Sequence, residues 1–162
     1  MREMRNSKRQ VTDEKRIDDI IMSCDCCRLG LVDGDEAYIV PLNFAYVKED
    51  GKRVFYFHGA SEGRKIDLIK ANGKAGFEMD TNHALMPADT ACNFSFAYQC
   101  VIGTGKISLV EDREKKAAYL NNIMKHYSDK NDWEFKEAVV DATAVIRLEV
   151  REISCKEIPA MG

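Results

Sequence analysis

The 162-residue chain has no long apolar run. The first sixteen residues carry six Lys/Arg against three Asp/Glu, but no hydrophobic segment follows them. That excludes a secretory signal and a membrane-spanning helix, and the expected location is the cytoplasm. An excess of positive charge is also missing. With a net charge of -3 and a pI near 5.7, a nucleic-acid partner is not expected. A second close Cys or His pair is lacking too. Cys24 and Cys27 form a C-x-x-C, but Cys92, Cys100 and the histidines at 58, 83 and 126 are scattered, so no metal is expected. Without a secretory signal, the six cysteines read as free thiols in a reducing compartment. Among chemical templates, a Walker loop, a G-x-S-x-G elbow and an H-E-x-x-H are absent. The only Gly-x-Gly, Gly103-Thr-Gly105, lies in a β-rich run without the rest of a dinucleotide fingerprint.

What is present is a succession of short elements in one domain, expected to span residues 1–162, with no repeat and no low-complexity linker. Thr12 reads as the N-cap of a helix carrying Ile17, Ile20, Ile21 and Cys24 inward. Residues 27–32 and 37–47 read as strands around an Asp33-Gly34 turn. Asp50-Gly51 then joins the second of these to a strand at 53–58. Ser61 is placed to cap a second helix with Ile66, Leu68 and Ile69 inward, closed by Asn72-Gly73. Residues 75–79 return to strand, and 80–93 read as an irregular polar loop. Residues 94–110 read as strand with a bend at Gly103-Thr-Gly105. A helix at 112–127, a loop with a short helix at 133–140, and a strand at 142–153 complete the chain. Hairpins dominate over β-α alternation, so the expected class is mainly β (α+β), an antiparallel barrel with flanking helices.

One segment stands out chemically. Ser61-Glu-Gly-Arg-Lys65 follows a strand and opens a helix, where backbone N–H groups lack intrahelical partners. Arg64 and Lys65 are unfavourable at the positive end of a helix dipole unless an anion offsets them, and Gly63 permits close approach. The pattern suits a phosphate; it equally suits an exposed helix start with solvated cations. In the strand before it, alternation sets Tyr56 and His58 on the face opposite Phe55 and Phe57.

Ala37-Tyr-Ile-Val-Pro-Leu-Asn-Phe44, Tyr56-Phe-His-Gly-Ala60, Glu62-Gly-Arg-Lys65 and Tyr98-x-x-Val-Ile-Gly-x-Gly-Lys106 resemble the nitroimidazole-resistance (Nim-type) proteins. These belong to the pyridoxamine 5′-phosphate oxidase-like flavin-binding split barrels. The similarity runs over residues 5–156. It implies a six-stranded antiparallel split barrel, a homodimer, and FMN (FAD possible) in clefts between the subunits. It implies that Val40, Pro41, Leu42 and Asn43 lie along the flavin ring. His58 and Ala60 would approach the flavin or its substrate, with His58 as the catalytic group. Ser61, Arg64 and Lys65 would hold the phosphate, and Tyr98, Gln99, Cys100 and Val101 would contribute from near the dimer interface. The family often has Ser at Cys100 and Gly at Cys155. The implied function is an oxidoreductase passing electrons to a small-molecule acceptor such as a nitroaromatic. Two alternatives stand beside it: a non-catalytic flavin carrier or redox sensor, and a haem-binding relative using His58, His83 or His126.

Overall fold

The computed structural model describes residues 3–160. A 3-10 turn at Ser7–Arg9 leads through a two-residue strand, β1 (Gln10–Val11), to helix α1 (Glu14–Ser23). Asp13 takes the N-cap in place of Thr12, its carboxylate accepting from Arg16 N at 2.7 Å. A carboxylate complements the positive helix end better than a hydroxyl does. Ile17, Ile20, Ile21 and Cys24 are buried, as their helical spacing requires.

Strands β2 (Cys27–Asp33) and β3 (Glu36–Leu42) form a hairpin whose turn is Gly34 and Asp35, one position later than the sequence suggests. Residues 37–47 are two strands rather than one. The chain breaks at Asn43, and β4 (Phe44–Glu49) starts beyond it. Asp50 (φ 49°) and Gly51 (φ 77°) then turn into β5 (Lys52–Ala60), both left-handed as a tight hairpin of this kind requires.

Helix α2 (Arg64–Asn72) buries Ile66, Leu68 and Ile69 and ends on left-handed Gly73. Strand β6 (Lys74–Met86) runs seven residues past the expected end at Met79, so residues 80–86 are strand and not loop. A shift of register between Thr81 and Ala84, with Asn82 at φ 55°, bends it. A 3-10 turn at Ala91–Asn93 precedes β7 (Ser95–Val110), which shifts register between Thr104 and Gly105, at the expected bend. Helix α3 (Arg113–Tyr127) is capped by Asp112. The short helix α4 (Glu137–Ala142) starts four residues later than expected, and β8 (Thr143–Ile158) closes the chain.

All strand pairs are antiparallel, in the order β3-β2-β6-β7-β8-β5-β4, with β1 added to β8. This is the expected α+β class with a different strand count. Eight strands become six when β3 and β4 count as one bent strand and the short β1 is left out. The two ends of the sheet, β3 and β4, are joined in the chain through Asn43 alone, which marks the split in the barrel. Phe44, Phe55, Phe57 and Phe77 fill the interior with Leu29, Ile107 and Ile146, covered by α1 and α2. Each such side chain contributes roughly 1.5–3 kcal/mol on burial. A second cluster seals the other face of β4 and β5 under α3 and α4, with Val54, Tyr56 and Val145 against Leu120, Ile123 and Val140. Among the described residues, no helix is long and apolar enough to cross a membrane.

Candidate functional site

The corner between β5 and α2 is set by how β5 is covered. Phe55 and Phe57 face the barrel interior, while Tyr56 stacks on Tyr119 at 3.7 Å between ring centroids. Both faces of β5 are therefore buried, and the half-polar face suggested by Tyr56 and His58 is closed by α3. Beyond Phe57 the strand emerges into solvent, first at His58. The chain then turns through exposed Ser61, Glu62 and Gly63. Ser61 does not cap α2. Gly63 occupies the N-cap at φ 117°, a conformation favouring glycine, and no side-chain oxygen bonds to the helix start. The first backbone donors of α2 are therefore left for solvent or an anion.

Lys65 is half-buried and folds back over Gly59. A Cβ built on Gly59 would stand 2.7 Å from Lys65 Nζ and 3.3 Å from Cε, so only glycine leaves the ammonium this seat. Among the described residues Lys65 has no carboxylate partner, and desolvation alone lowers its pKa. Partial burial and then the Lys65 charge hold the imidazole of His58 below its ordinary value. An unpaired cation beside a neutral imidazole, at an uncapped helix start, fits a phosphate-bearing ligand.

Arg64 points elsewhere. Its Nε donates to Asp33 Oδ2 at 2.7 Å and its second nitrogen reaches Glu36 Oε2 at 3.4 Å. Its guanidinium lies 4.6 Å from the Tyr38 ring centroid. Arg64 thus ties the β2–β3 hairpin to α2. Along β3, Val40 and Leu42 pack inward with Tyr38, while Ile39, Pro41 and Asn43 face outward. Asn43 Nδ2 donates to Asp25 O at 3.5 Å.

The residues at 98–101 lie elsewhere in the same chain. His58 is registered with Val145 of β8, but Val101 is registered with Cys155. Ten residues of β8 separate them, about 33 Å along the strand. Val101 is fully buried in the core, and Gln99 bonds to Asn82 and Glu157. Tyr98 and Cys100 share the outward alternation with Ile102 and Thr104. There a cavity of about 820 Å³ opens, lined by Arg5, Gln10, Ile102, Thr104, Ser154 and Lys156. One chain brings together His58, Ala60, Ser61 and Lys65, turns the Arg64 side chain toward the hairpin, and leaves residues 98–101 apart from them.

Of the three histidines, His83 bonds to Asp80 at 2.9 Å and His126 donates from Nε2 to the Cys24 carbonyl at 2.7 Å. His58 alone keeps both ring nitrogens free among the described residues. The six cysteines are free thiols. Burial pushes Cys24 up to about 12 and Cys100 and Cys155 up to about 11, which disfavours their thiolate forms. No group of three or more His, Cys, Asp or Glu among the described residues could hold a metal ion. Sequence reasoning missed Gly59, the seat of Lys65, and Asp33, Glu36 and Tyr38, the partners of Arg64. Only a contact across the fold identifies them.

The family model of pyridoxamine 5′-phosphate oxidase matches residues 13–157. The chain belongs to the pyridoxamine 5′-phosphate oxidase family. Solved structures agree in fold. A candidate 5-nitroimidazole antibiotic resistance protein from Bacteroides thetaiotaomicron is 28% identical, with a TM-score of 0.79 over 91% of this chain and 86% of that one. A flavocytochrome from Azotobacter vinelandii is 22% identical, with a TM-score of 0.82 over 98% of this chain and 73% of its own. An FAD and heme binding protein from Mycobacterium smegmatis is 16% identical, with a TM-score of 0.81 over 94% and 74%. No curated protein matches the chain in sequence.

Proposed function

We propose that this member of the family is a flavin-dependent oxidoreductase that binds FMN by its phosphate at the start of α2 and reduces small acceptors such as nitroaromatics. The observation that carries the reading is the Lys65 ammonium, unpaired among the described residues and seated on Gly59, beside His58 and the uncapped helix. Likeness to the Bacteroides resistance protein supports the choice of acceptor. The flavin, when bound, supplies electron-pair transfer, and the protein supplies position and electrostatics. Lys65 and the first N–H groups of α2 fix the phosphate. His58, its pKa lowered by partial burial and Lys65, offers a donor at one ring nitrogen and an acceptor at the other, which suits orienting an acceptor by hydrogen bonds.

The protein acts as a homodimer in this reading. The separation of residues 98–101 from His58 within one chain supports it, because a second copy can bring its own outward β7 face to the β5–α2 corner. The free thiols suit a cytoplasmic setting. Flavin-loaded protein, photoreduced without oxygen and mixed with a nitroaromatic, is expected to reoxidise rapidly. Flavin that stays reduced with every nitroaromatic tested contradicts the acceptor assignment. Rapid bleaching by NADH or NADPH separates an enzyme from a carrier.

A further inference from the structure

The outward face of β7 and β8 carries a chemical setting that the β5–α2 corner does not use. Alternation along β8 sets Glu152, Ser154 and Lys156 on one face. Ile102 and Thr104 of β7 stand beside them, registered with Ser154 and Glu152. The N-terminal segment bounds a third side, with Gln10 registered against Lys156 and Arg5 in the lining. The cavity between them, about 820 Å³, has room for a small organic molecule.

The charges that β8 brings to this cavity are sorted by position. Glu152 and Lys156 lie four residues apart, about 13 Å along the strand, with Ser154 between them. Glu3 and Arg5 add one charge of each sign from the N-terminal segment. Arg5 and Lys156 have no carboxylate partner among the described residues, whereas Glu152 is engaged. Beside the cations stand an apolar wall at Ile102, which is 49% exposed, and the hydroxyls of Thr104 and Ser154. Such a lining suits a flat molecule with one anionic group at the Lys156 end, since cations bond carboxylates more strongly than neutral groups. Glu3 and Glu152 oppose a second negative charge.

We propose that this cavity is the acceptor site and that Arg5 and Lys156 are specificity-determining residues, selecting acceptors that carry a carboxylate. This rests on the reading of the protein as a flavin-dependent dimer, in which the outward β7 face of one copy comes to the β5–α2 corner of the other. The carboxylate lies on Arg5 and Lys156, and the ring lies against Ile102. The nitro group takes up two electrons and two protons from the reduced flavin and loses one water to become nitroso.

The test compares 4-nitrobenzoate with its uncharged analogue 4-nitrobenzamide, using flavin-loaded protein. Equilibrium dialysis of the oxidised protein gives the affinity of each compound, and reoxidation of photoreduced protein without oxygen gives the rates. Wild-type protein is expected to bind the acid, and to react with it, at least about tenfold more favourably than the amide. Lys156→Met combined with Arg5→Met should lower both quantities about tenfold for the acid and less than about threefold for the amide. Ser154→Asp, which keeps both cations, should act in the same direction, so a folding defect in the first variant does not decide the matter. Thermal melts and flavin content verify that each variant is intact. Equal affinities and rates for acid and amide in wild-type protein overturn the inference and leave the flavin reading standing. Variants that weaken both compounds alike overturn it too. Protein that binds no flavin, or whose reduced flavin reacts with neither compound, defeats the underlying reading together with the inference.

Discussion

The ammonium of Lys65 occupies the space that a side chain at Gly59 would need, 2.7 Å from where its Cβ would stand. This one contact turns a cation at an unfavourable helix position into a preformed receptor. The ammonium is held in place, partly desolvated and without a carboxylate to neutralise it among the described residues.

Lys65→Met should weaken FMN binding by about 1.5–3 kcal/mol, the usual contribution of a hydrogen bond to a charged group, and barely affect riboflavin. Isothermal titration of both ligands measures it. Equal losses for the two would place the phosphate elsewhere.

Gly59→Ala tests the seat itself. The clashing atoms are the far end of a flexible side chain, so the fold should tolerate the methyl group while Lys65 is displaced. The expected outcome is a melting temperature near that of the parent with clearly weaker FMN binding. A large loss of stability with unchanged binding would show that the contact serves packing alone.

How far the site was legible in the sequence follows from which forces built it. The run Ser61 to Lys65 announces itself by local physics, because cations at a helix start are unusual. That Arg64 is spent on Asp33 and Glu36 while Lys65 is free depends on a hairpin some thirty residues away, and no local pattern encodes it. The fold shows the same division. Asn43 and Pro41 are the two exceptions in a run rich in β-formers, so the corner that sends β3 and β4 to opposite ends of the sheet leaves little trace in composition. Residues 80–86 carry Asp80, Thr81, Asn82 and His83 and read as loop. They are strand because their backbone pairs with β7, not because their side chains are buried. Burial writes a periodic signal into sequence; backbone pairing at an exposed edge does not.

His58 gives a prediction in pH. Partial burial and the Lys65 ammonium hold it below the ordinary value of 6.5. As pH falls, the unfolded chain takes up this proton before the folded one. The stability contributed by neutral His58 is thus present above pH 6.5 and is lost as pH falls through the folded value. Melting temperatures of flavin-free protein should fall less steeply across that window for His58→Asn than for the parent. In Lys65→Met, the His58 ring resonances followed by NMR should titrate closer to the ordinary value. An unchanged titration would remove the electrostatic link between the two residues.

Gly103 tests the bend in β7. A Cβ there would lie 2.3 Å from the Glu152 carbonyl oxygen and 2.5 Å from the Phe77 ring, and the oxygen belongs to paired backbone. Gly103→Ala should cost at least about 2 kcal/mol in urea unfolding, from overpacking and disturbed pairing. At Gly30 the nearest atom to an added Cβ is 3.7 Å away, so Gly30→Ala should stay within about 1 kcal/mol of the parent. Equal costs would mean that the two positions are not distinguished by space.

The most direct test of a flavin held at the β5–α2 corner is the visible spectrum of the purified protein, followed by mass identification of the chromophore released on denaturation. The account predicts the two visible bands of oxidised flavin and release of FMN. Protein that stays colourless after incubation with FMN, or that carries a haem Soret band instead, would contradict it.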